Sequence, residues 1–322
     1  MDWAKQGDVF PPAPAGDPDY LRAWQPWVLE EDDGTLRMWY SGHDGTTGRI
    51  LEAVQPPGWS WHRLGVAVDA GLAGDSDRYG VEASCVVKFN EGYLMVYGGF
   101  DGRHTRIHLA TSADGHRWTA GGPIVPGETR PPAAQGTGGV PATRAVGAAR
   151  GSTPSLLIGG DQWWLFYSAA VAPERGDGPE VGNGSAGARR TAILAAVSKP
   201  GDRWDPVGPV LEPEPGEVAT SHPCVLEISR TLYMFYASEN DEQQSSLALA
   251  TSVDGQKWER RGIVLGAATD DDPDTCAVTA PCVVRLRDGS LRMWYSRRPW
   301  GDDRLAYAIG SAIFPGPWPG HG

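Results

Sequence analysis

The chain has 322 residues, of which 40% are hydrophobic, and it carries a formal net charge of -12 at pH 7. Binding to a phosphate backbone needs a basic surface, so this charge argues against a nucleic-acid partner. No apolar stretch reaches the length of a membrane span, and no leader pattern precedes Trp3. We therefore expect a soluble, cytoplasmic protein with no membrane partner.

Two short patterns recur along the whole chain. The first is a tryptophan followed four positions later by a glycine, at Trp3/Gly7, Trp61/Gly65, Trp118/Gly122, Trp204/Gly208 and Trp258/Gly262. The second is an apolar run that ends in an aromatic residue and a tyrosine, or a near equivalent, at Trp39-Tyr40, Val96-Tyr97, Phe166-Tyr167, Phe235-Tyr236 and Trp294-Tyr295. The equal number of the two patterns predicts a repeat protein with five units.

The order of the two patterns predicts how the chain ends are joined. The chain begins with the W-x-x-x-G segment at Trp3, whereas the last aromatic-tyrosine pair, which ends at Tyr295, has no such segment after it. The N-terminus therefore supplies the missing last strand of the C-terminal unit. That arrangement is useful when the units close into a ring, because it removes an open sheet edge.

The strand signals within one unit are short. In the unit at 280–313, apolar runs at 281–286, 291–295 and 305–308 predict three strands, with a turn at 287–290 after the first, and the W-x-x-x-G segment is the fourth strand. The fold class is predicted to be all-β, a five-bladed β-propeller with four antiparallel strands per blade and the last blade closed by the N-terminal strand. Residues 1–322 form a single domain, with insertions at 127–150 and 173–190 in or before blade 3 that we expect to be surface loops.

Three of the four cysteines occupy one equivalent position in the repeat. Cys85, Cys224 and Cys282 each lie inside the first apolar run of a unit. Equivalent residues on different inner strands pack alike, so we expect small buried side chains. A three-thiol metal site is the alternative.

The positions just before the inner strands are the candidate functional positions, because the inner strands of a propeller line its central channel. Alignment on the inner-strand proline or its substitute gives Trp24-Gln25, Glu82-Ala83, Ser152-Thr153, Ser221-His222 and Thr279-Ala280. We expect these residues to form one funnel. A site assembled in this way has no contiguous motif.

The repeats of x-P-x-V-V, a turn, M-W-Y-S or L-F-Y-S, and A-x-S-x-D-G-x-x-W run through the whole chain. In this respect the chain resembles the five-bladed propeller glycosidases, which include arabinanases, β-xylosidases, levansucrases and invertases. The resemblance implies two catalytic carboxylates, assisted by a third acid. At the three positions where the family has these acids, this sequence has Gln25, Cys85 and Ser152.

Other acidic residues near the predicted funnel are therefore candidates. Glu82 lies two residues before the strand-start position of blade 2, where a partly dry environment would suit a general acid; a structural carboxylate bound to backbone amides is the alternative. A D-x-D pattern occurs at Asp17/Asp19, Asp75/Asp77 and Asp272/Asp274. It is typical of turn capping. Asp77 and Asp274 are the candidates for a catalytic base, a substrate ligand or a cation ligand.

The remaining site predictions concern binding. His222 directly precedes the blade 4 proline, and the resemblance implies that it contacts a central cation or water, with a structural histidine as the alternative. No other cofactor is expected. The predicted substrate-binding residues are Trp24, Gln25, Arg78, Thr153, His222 and Trp300.

Two classes of function follow from these observations. The first is a glycoside hydrolase or transglycosidase-like enzyme that acts on a small intracellular glycoside. The second is a repurposed propeller that lacks glycosidase activity and binds or converts a small molecule of a bacterial biosynthetic pathway. The missing acids favour the second class, and the repeat resemblance favours the first.

Overall fold

The computed structural model describes residues 3–72, 75–124, 153–159, 162–171, 190–200, 202–242, 244–266, 277–298 and 307–314. In these ranges all regular structure is β-strand. The strands in chain order are β1 (Ala4–Phe10), β2 (Arg22–Glu30), β3 (Leu36–His43), β4 (Gly48–Gln55), β5 (His62–Val68), β6 (Val81–Phe89), β7 (Gly92–Phe100), β8 (Thr105–Ser112), β9 (Thr119–Pro123), β10 (Ser155–Gly159), β11 (Gln162–Val171), β12 (Arg190–Ser198), β13 (Asp205–Leu211), β14 (Glu217–Ile228), β15 (Thr231–Asn240), β16 (Ser245–Ser252), β17 (Glu259–Leu265), β18 (Ala277–Arg285), β19 (Leu291–Arg298) and β20 (Ala308–Phe314).

Consecutive strands pair in antiparallel, four-stranded meanders, an arrangement consistent with a β-propeller. We refer to β2–β5, β6–β9, β10–β13 and β14–β17 as the first to fourth meanders, and to β18–β20 with β1 as the last meander. Single parallel residue pairs, Thr191 with Ala219 and Ser245 with Ala277, join the third meander to the fourth and the fourth to the last. In the last meander β1 pairs antiparallel with β20, so the N-terminal strand lies where the repeat order predicted.

The third strand of the last meander differs from its prediction. The expected strand at 305–308 is replaced by β20, which begins only at Ala308, and residues 305–306 lie outside the described ranges. The small residues Gly310 and Ser311 interrupt the apolar pattern that would have identified β20 in the sequence. Gly310 is required because an added Cβ would lie 2.8 Å from the ring of Tyr295. Both predicted insertions also fall outside the described ranges, except Arg190, the first residue of β12.

The glycine of each W-x-x-x-G segment forms a β-bulge in the outermost strand. Gly65 has a φ of 111° and Gly262 a φ of 92°, which are left-handed conformations that favour glycine. The pairing register shifts beside each of these two residues. The glycine is therefore conserved between the repeats of this chain for a backbone reason, the bulge that it allows.

The tryptophan of the same segment packs between meanders. In several units its ring contacts the aromatic residue of the aromatic-tyrosine pair in the preceding meander, as seen for Trp118 on Trp39, Trp258 on Phe166 and Trp3 on Phe235. Trp61 of the first meander makes the same kind of contact with Trp294 of the last. The ring centroids are 5.6 to 6.4 Å apart and the planes nearly perpendicular. The two recurring patterns are thus the two sides of one edge-to-face contact.

Buried thiols make a second set of contacts between meanders. The sulfur atoms accept hydrogen bonds from backbone N–H groups of the next meander: Leu156 donates to Cys85, Val283 to Cys224 and Val28 to Cys282. All three cysteines are buried, as the sequence predicted. Burial raises the pKa of the Cys85 thiol, so this side chain remains protonated.

Two negative findings apply to the described residues. They contain no helix with the length and apolar character that a membrane crossing requires. They also contain no cluster of three or more histidine, cysteine or acidic side chains placed to hold a metal ion.

Candidate active site

The first strand of several meanders has a bulge at one equivalent place. Here the residue before the inner-strand proline, or before Ser84 in β6, has a left-handed φ: 51° for Gln25, 56° for Ala83, 54° for His222 and 49° for Ala280. Side chains other than glycine rarely adopt this conformation, which costs about 1–3 kcal/mol at each position. We call these positions the inner bulges.

Serines of the preceding meander hold the inner bulges in place. The Ser41 hydroxyl accepts a hydrogen bond from the Ala83 N–H at 2.9 Å, and the Ser296 hydroxyl accepts one from the Gln25 N–H at 2.7 Å. Both serines directly follow an aromatic-tyrosine pair and are fully buried. The tyrosine-serine ending of the repeat therefore fixes the strained backbone at the centre of the fold.

The inner bulges line one small cavity, which we call the inner cavity. Its walls are Gln25, Pro26, Trp27, Ala83, Ser84, Thr153, Pro154, His222, Pro223, Ala280 and Pro281. Its volume is about 30 Å³, the space that one water molecule occupies. The predicted substrate-binding residues Gln25, Thr153 and His222 are thus brought together from distant parts of the chain, around a space too narrow for a sugar ring.

Trp27 accounts for the small size of the inner cavity. Its side chain lies against core residues of several meanders, and its indole N–H donates to the Val86 carbonyl oxygen at 2.7 Å. The equivalent positions hold the much smaller Cys85, Cys224 and Cys282. This role of Trp27 was not predicted from the sequence. The signal was a tryptophan at the position where other units have cysteine.

His222 is held by hydroxyl groups. Its backbone N–H donates to Ser168 Oγ at 3.0 Å and to Thr153 Oγ1 at 3.1 Å. Its ring nitrogen Nδ1 lies 2.9 Å from Ser221 Oγ and 3.3 Å from Thr279 Oγ1. Burial lowers the pKa of His222 to about 4, so its imidazole is neutral at physiological pH and can donate or accept one hydrogen bond at Nε2.

The residues one position before the inner bulges, nearer the start of each first strand, form a second layer of the site. Trp24, Glu82, Ser221 and Thr279 each pair with a residue of the neighbouring second strand at the same height. Trp24 is partly buried, and its ring lies 6.4 Å from that of His43. Glu82 is also partly buried and is the one carboxylate in this layer among the described residues. Glu82 therefore lies next to a wall residue of the inner cavity, Ala83.

Glu239 is a second carboxylate, in the fourth meander, at the end where the inner bulge of that meander lies, and it was not predicted from the sequence. It lies near the end of β15, two residues beyond Ala237, which pairs with Ser221. Burial raises the pKa of Glu239, and the positive charge of Arg298 opposes that shift. Residues two apart in a strand share a face, so the register of Glu239 relative to the Phe235-Tyr236 pair could have identified it.

Asp77 has a different environment. It is buried, the Tyr97 hydroxyl donates to it at 3.3 Å, and His108 Nδ1 lies 3.7 Å away. Asp19 makes the equivalent contact with Tyr40 at 2.9 Å. The second aspartate of the D-x-D pattern thus connects the incoming loop to the aromatic-tyrosine strand, and Asp77 does not line the inner cavity.

The other predicted residues are dispersed. Arg78 lines a separate surface pocket. Asp274 and Trp300 lie outside the described ranges, as does Ser152. Of the other two positions where the resemblance implies acids, Gln25 accepts a hydrogen bond from Ser41, and Cys85 is buried beyond the inner cavity. The structure brings hydroxyl groups to His222, and none of the described residues that line the inner cavity is a carboxylate.

Comparison with solved structures shows a close likeness of fold. A structure named glycoside hydrolase is 16% identical, with a TM-score of 0.68 over 98% of this chain and 93% of that one. A structure from the GH130 family of mannoside phosphorylases, a family that contains glycoside hydrolases targeting β-1,2 mannosidic linkages in Candida mannan, is 14% identical, with a TM-score of 0.70 over 98% and 95%.

A family 117 glycoside hydrolase from the marine bacterium Zobellia galactanivorans is 11% identical, with a TM-score of 0.68 over 97% and 90%. No protein-family model matches the chain. No curated protein matches it either. At these identities the likeness establishes the shared fold alone, and function has to be inferred from the residues of the site.

Proposed function

We propose that the chain is a glycoside hydrolase-like enzyme built on a five-bladed propeller, and that it acts on a small glycoside. The contact of Trp61 in the first meander with Trp294 in the last supports closure of five blades into a ring. The observation that carries the function is the presence of two partly buried carboxylates, Glu82 in the second meander and Glu239 in the fourth, each at the end of its own meander where the inner bulge lies. Glycoside cleavage by this class of enzyme needs two such groups.

Glu239 is the proposed proton donor. A general acid must hold its proton near the working pH, and burial of Glu239 raises its pKa in that direction. Glu82, which the sequence suggested as the acid, becomes the ionised partner that acts as base or nucleophile. Asp77 then has a positioning role, because its contact with Tyr97 fixes the loop that leads into β6.

The substrate is proposed to sit above the inner cavity. Trp24 offers an aromatic face to a sugar ring, and His222 offers Nε2 from below. The inner cavity has room for about one water molecule, so the sugar cannot enter it. A short glycoside that places one ring between Trp24 and Glu239 fits these limits better than a long polymer does.

The test is an activity screen with matched variants. Wild-type protein is incubated with a panel of nitrophenyl furanosides and pyranosides, and the unsubstituted phenyl glycoside of the active sugar, whose leaving group needs protonation, is then assayed with Glu239→Gln and Glu82→Gln. Each substitution is expected to lower kcat by about 10²–10⁴-fold, the contribution of a positioned acid or base. Glu227→Gln, an exposed position on β14, is the control and should retain full activity. Glycoside release that is unchanged in both variants would refute the assignment.

A second candidate function is a propeller that binds a small molecule without cleaving glycosides. It is favoured by Gln25 and Cys85 at two positions where the resemblance implies acids. Under this alternative no glycoside of the panel is cleaved, yet a ligand still protects the protein from thermal unfolding. Glu82→Gln and Glu239→Gln would then change ligand affinity only.

A further inference from the structure

A large pocket outside the proposed active site has a distinct chemistry. It lies at the start of β6 and at the β7–β8 connection, has a volume of about 830 Å³, and is open to solvent. This volume is within the range of small-molecule sites, roughly 300–1,000 Å³. Three arginines line it, Arg78, Arg103 and Arg106, in a protein whose net charge is -12.

One arginine of the pocket is neutralised by the protein itself. Arg106 forms an ion pair with Asp101. Asp101 also accepts backbone hydrogen bonds from Arg103 and His104. These contacts hold the pKa of Asp101 well below its usual range, so it remains ionised. The Asp101–Arg106 pair therefore forms a fixed wall of the pocket and does not attract an anion.

The other two arginines have no carboxylate partner in the described part of the chain. Arg78 and Arg103 are both exposed and both line the pocket. The Arg78 guanidinium lies 4.7 Å from the centre of the Tyr79 ring, close enough for a cation–π contact that restricts its position. Besides Asp101, the lining holds one more carboxylate, Asp75, which accepts a hydrogen bond from the Leu72 N–H. Three arginines against two aspartates leave the lining with a net positive charge, which is suited to bind an anion.

An aromatic side chain gives the pocket a second property. Tyr79 is 56% exposed, although it is large and apolar. An added Cβ at Gly102 would lie 2.7 Å from the Tyr79 ring, so the glycine allows the close approach that fixes this ring. An exposed aromatic ring beside polar groups is typical of a surface that binds sugars or other ligands with one apolar face.

We propose that this pocket binds the anionic group of an acidic sugar unit, either a carboxylate or a phosphate. The inference rests on the proposed function for its sugar component. Glu82 follows Tyr79 by three residues, which span at most about 10 Å, and Tyr79 lies in the turn that leads into β6, where Glu82 is the second residue. A glycoside anchored by its anionic unit at Arg78 and Arg103 can therefore extend towards Glu82. The substrate of the enzyme is then an acidic oligosaccharide or sugar conjugate.

The test is direct binding measured by calorimetry at low salt. The probes are galacturonate, glucose 6-phosphate, and the neutral sugars galactose and glucose. At least one acidic sugar is expected to bind tenfold more tightly than its neutral counterpart, and added salt should weaken that binding. Binding of galacturonate alone identifies a carboxylate ligand, and binding of glucose 6-phosphate alone identifies a phosphate ligand. Equal affinity for acidic and neutral sugars, or no binding of any probe, overturns the proposal.

Variants locate the bound anion. Arg78→Gln and Arg103→Gln should each weaken binding of the acidic sugar about tenfold, and Arg117→Gln, an exposed arginine of the same meander, should leave it unchanged. Because these side chains are exposed, unfolding temperatures should stay close to wild type. If acidic sugars bind and no glycoside is cleaved, the anion-binding proposal is supported and the proposed function fails. If neutral glycosides are cleaved and no acidic sugar binds, the proposed function is supported and the anion-binding proposal fails. Binding that is unaffected by both pocket variants overturns the proposal.

Discussion

His222 should make the stability of the protein depend on pH in a defined range. Burial lowers its pKa in the folded state to about 4, whereas an unfolded chain has a histidine pKa of about 6.5. As the pH falls below 6.5, His222 becomes protonated in the unfolded state while it stays neutral in the folded state. The stability that neutral His222 contributes is therefore complete above pH 6.5 and is lost as the pH falls towards 4. With these two pKa values, the loss in the free energy of unfolding at pH 5 is about 2 kcal/mol for a fully buried group. His222 is partly exposed, which reduces the expected loss to about 1–2 kcal/mol.

The assay is urea unfolding of the wild type and His222→Asn at pH 7 and pH 5. Asparagine is chosen because it tolerates the left-handed φ of 54° at this position. The wild type should lose about 1–2 kcal/mol more than the variant between the two pH values, and the other titrating groups cancel in the comparison. His62→Asn, at an exposed position, shows the effect of removing an imidazole from the surface. An identical pH dependence in the wild type and His222→Asn would refute the reasoning.

Two further predictions concern the backbone. Ser41→Ala should lower the free energy of unfolding by about 1–3 kcal/mol in urea titrations, because the buried Ala83 N–H loses its acceptor. Ser60→Ala, at an exposed position, is the control and should have almost no effect. Equal effects of the two substitutions would argue against the bulge contact. Gly262→Ala should cost about 1–2 kcal/mol by thermal unfolding through its φ of 92° alone, since nothing lies near an added Cβ. Gly266→Ala, which also has open space but no left-handed φ, is its control, and an equal loss there would contradict the backbone explanation.

The sequence predicted the repeat because its two patterns describe one physical contact. The apolar run that ends at Tyr40 is a second strand, and the tryptophan of a neighbouring unit, Trp118, packs on Trp39 within that run. Each unit contains both the tryptophan and the aromatic-tyrosine pair that form this contact, so the spacing of the two patterns along the chain predicts the meanders. The start of β20 was harder to predict, because Gly310 and Ser311 serve the packing of that strand and weaken its apolar signal.

The inner bulges could not be predicted from local sequence. A residue before proline usually takes an extended conformation, yet Gln25, His222 and Ala280 have left-handed φ values. Hydrogen bonds from distant residues override the local preference, as Ser296 does for Gln25 across 271 positions of the chain. Contacts of this kind become visible only when the meanders are placed side by side.

The proposed carboxylate pair illustrates the same limit. Glu82 was identified because it lies beside an inner-strand start, a position that the repeat alignment makes explicit. Glu239 lies at the end of a second strand, where its importance depends on register and on Arg298 in the next meander. Asp77 was also a candidate in the sequence, with turn capping as the alternative, and its contact with Tyr97 is of the structural kind.

The most direct test of the proposed chemistry is the dependence of the rate on the leaving group. For Glu239→Gln, a dinitrophenyl glycoside needs little protonation and should be cleaved within about tenfold of the wild-type rate, whereas an unsubstituted phenyl glycoside should lose about 10²–10⁴-fold. That divergence is the result expected when Glu239 donates the proton. An equal loss on both substrates, or no loss on either, would contradict the assignment of Glu239 as the general acid.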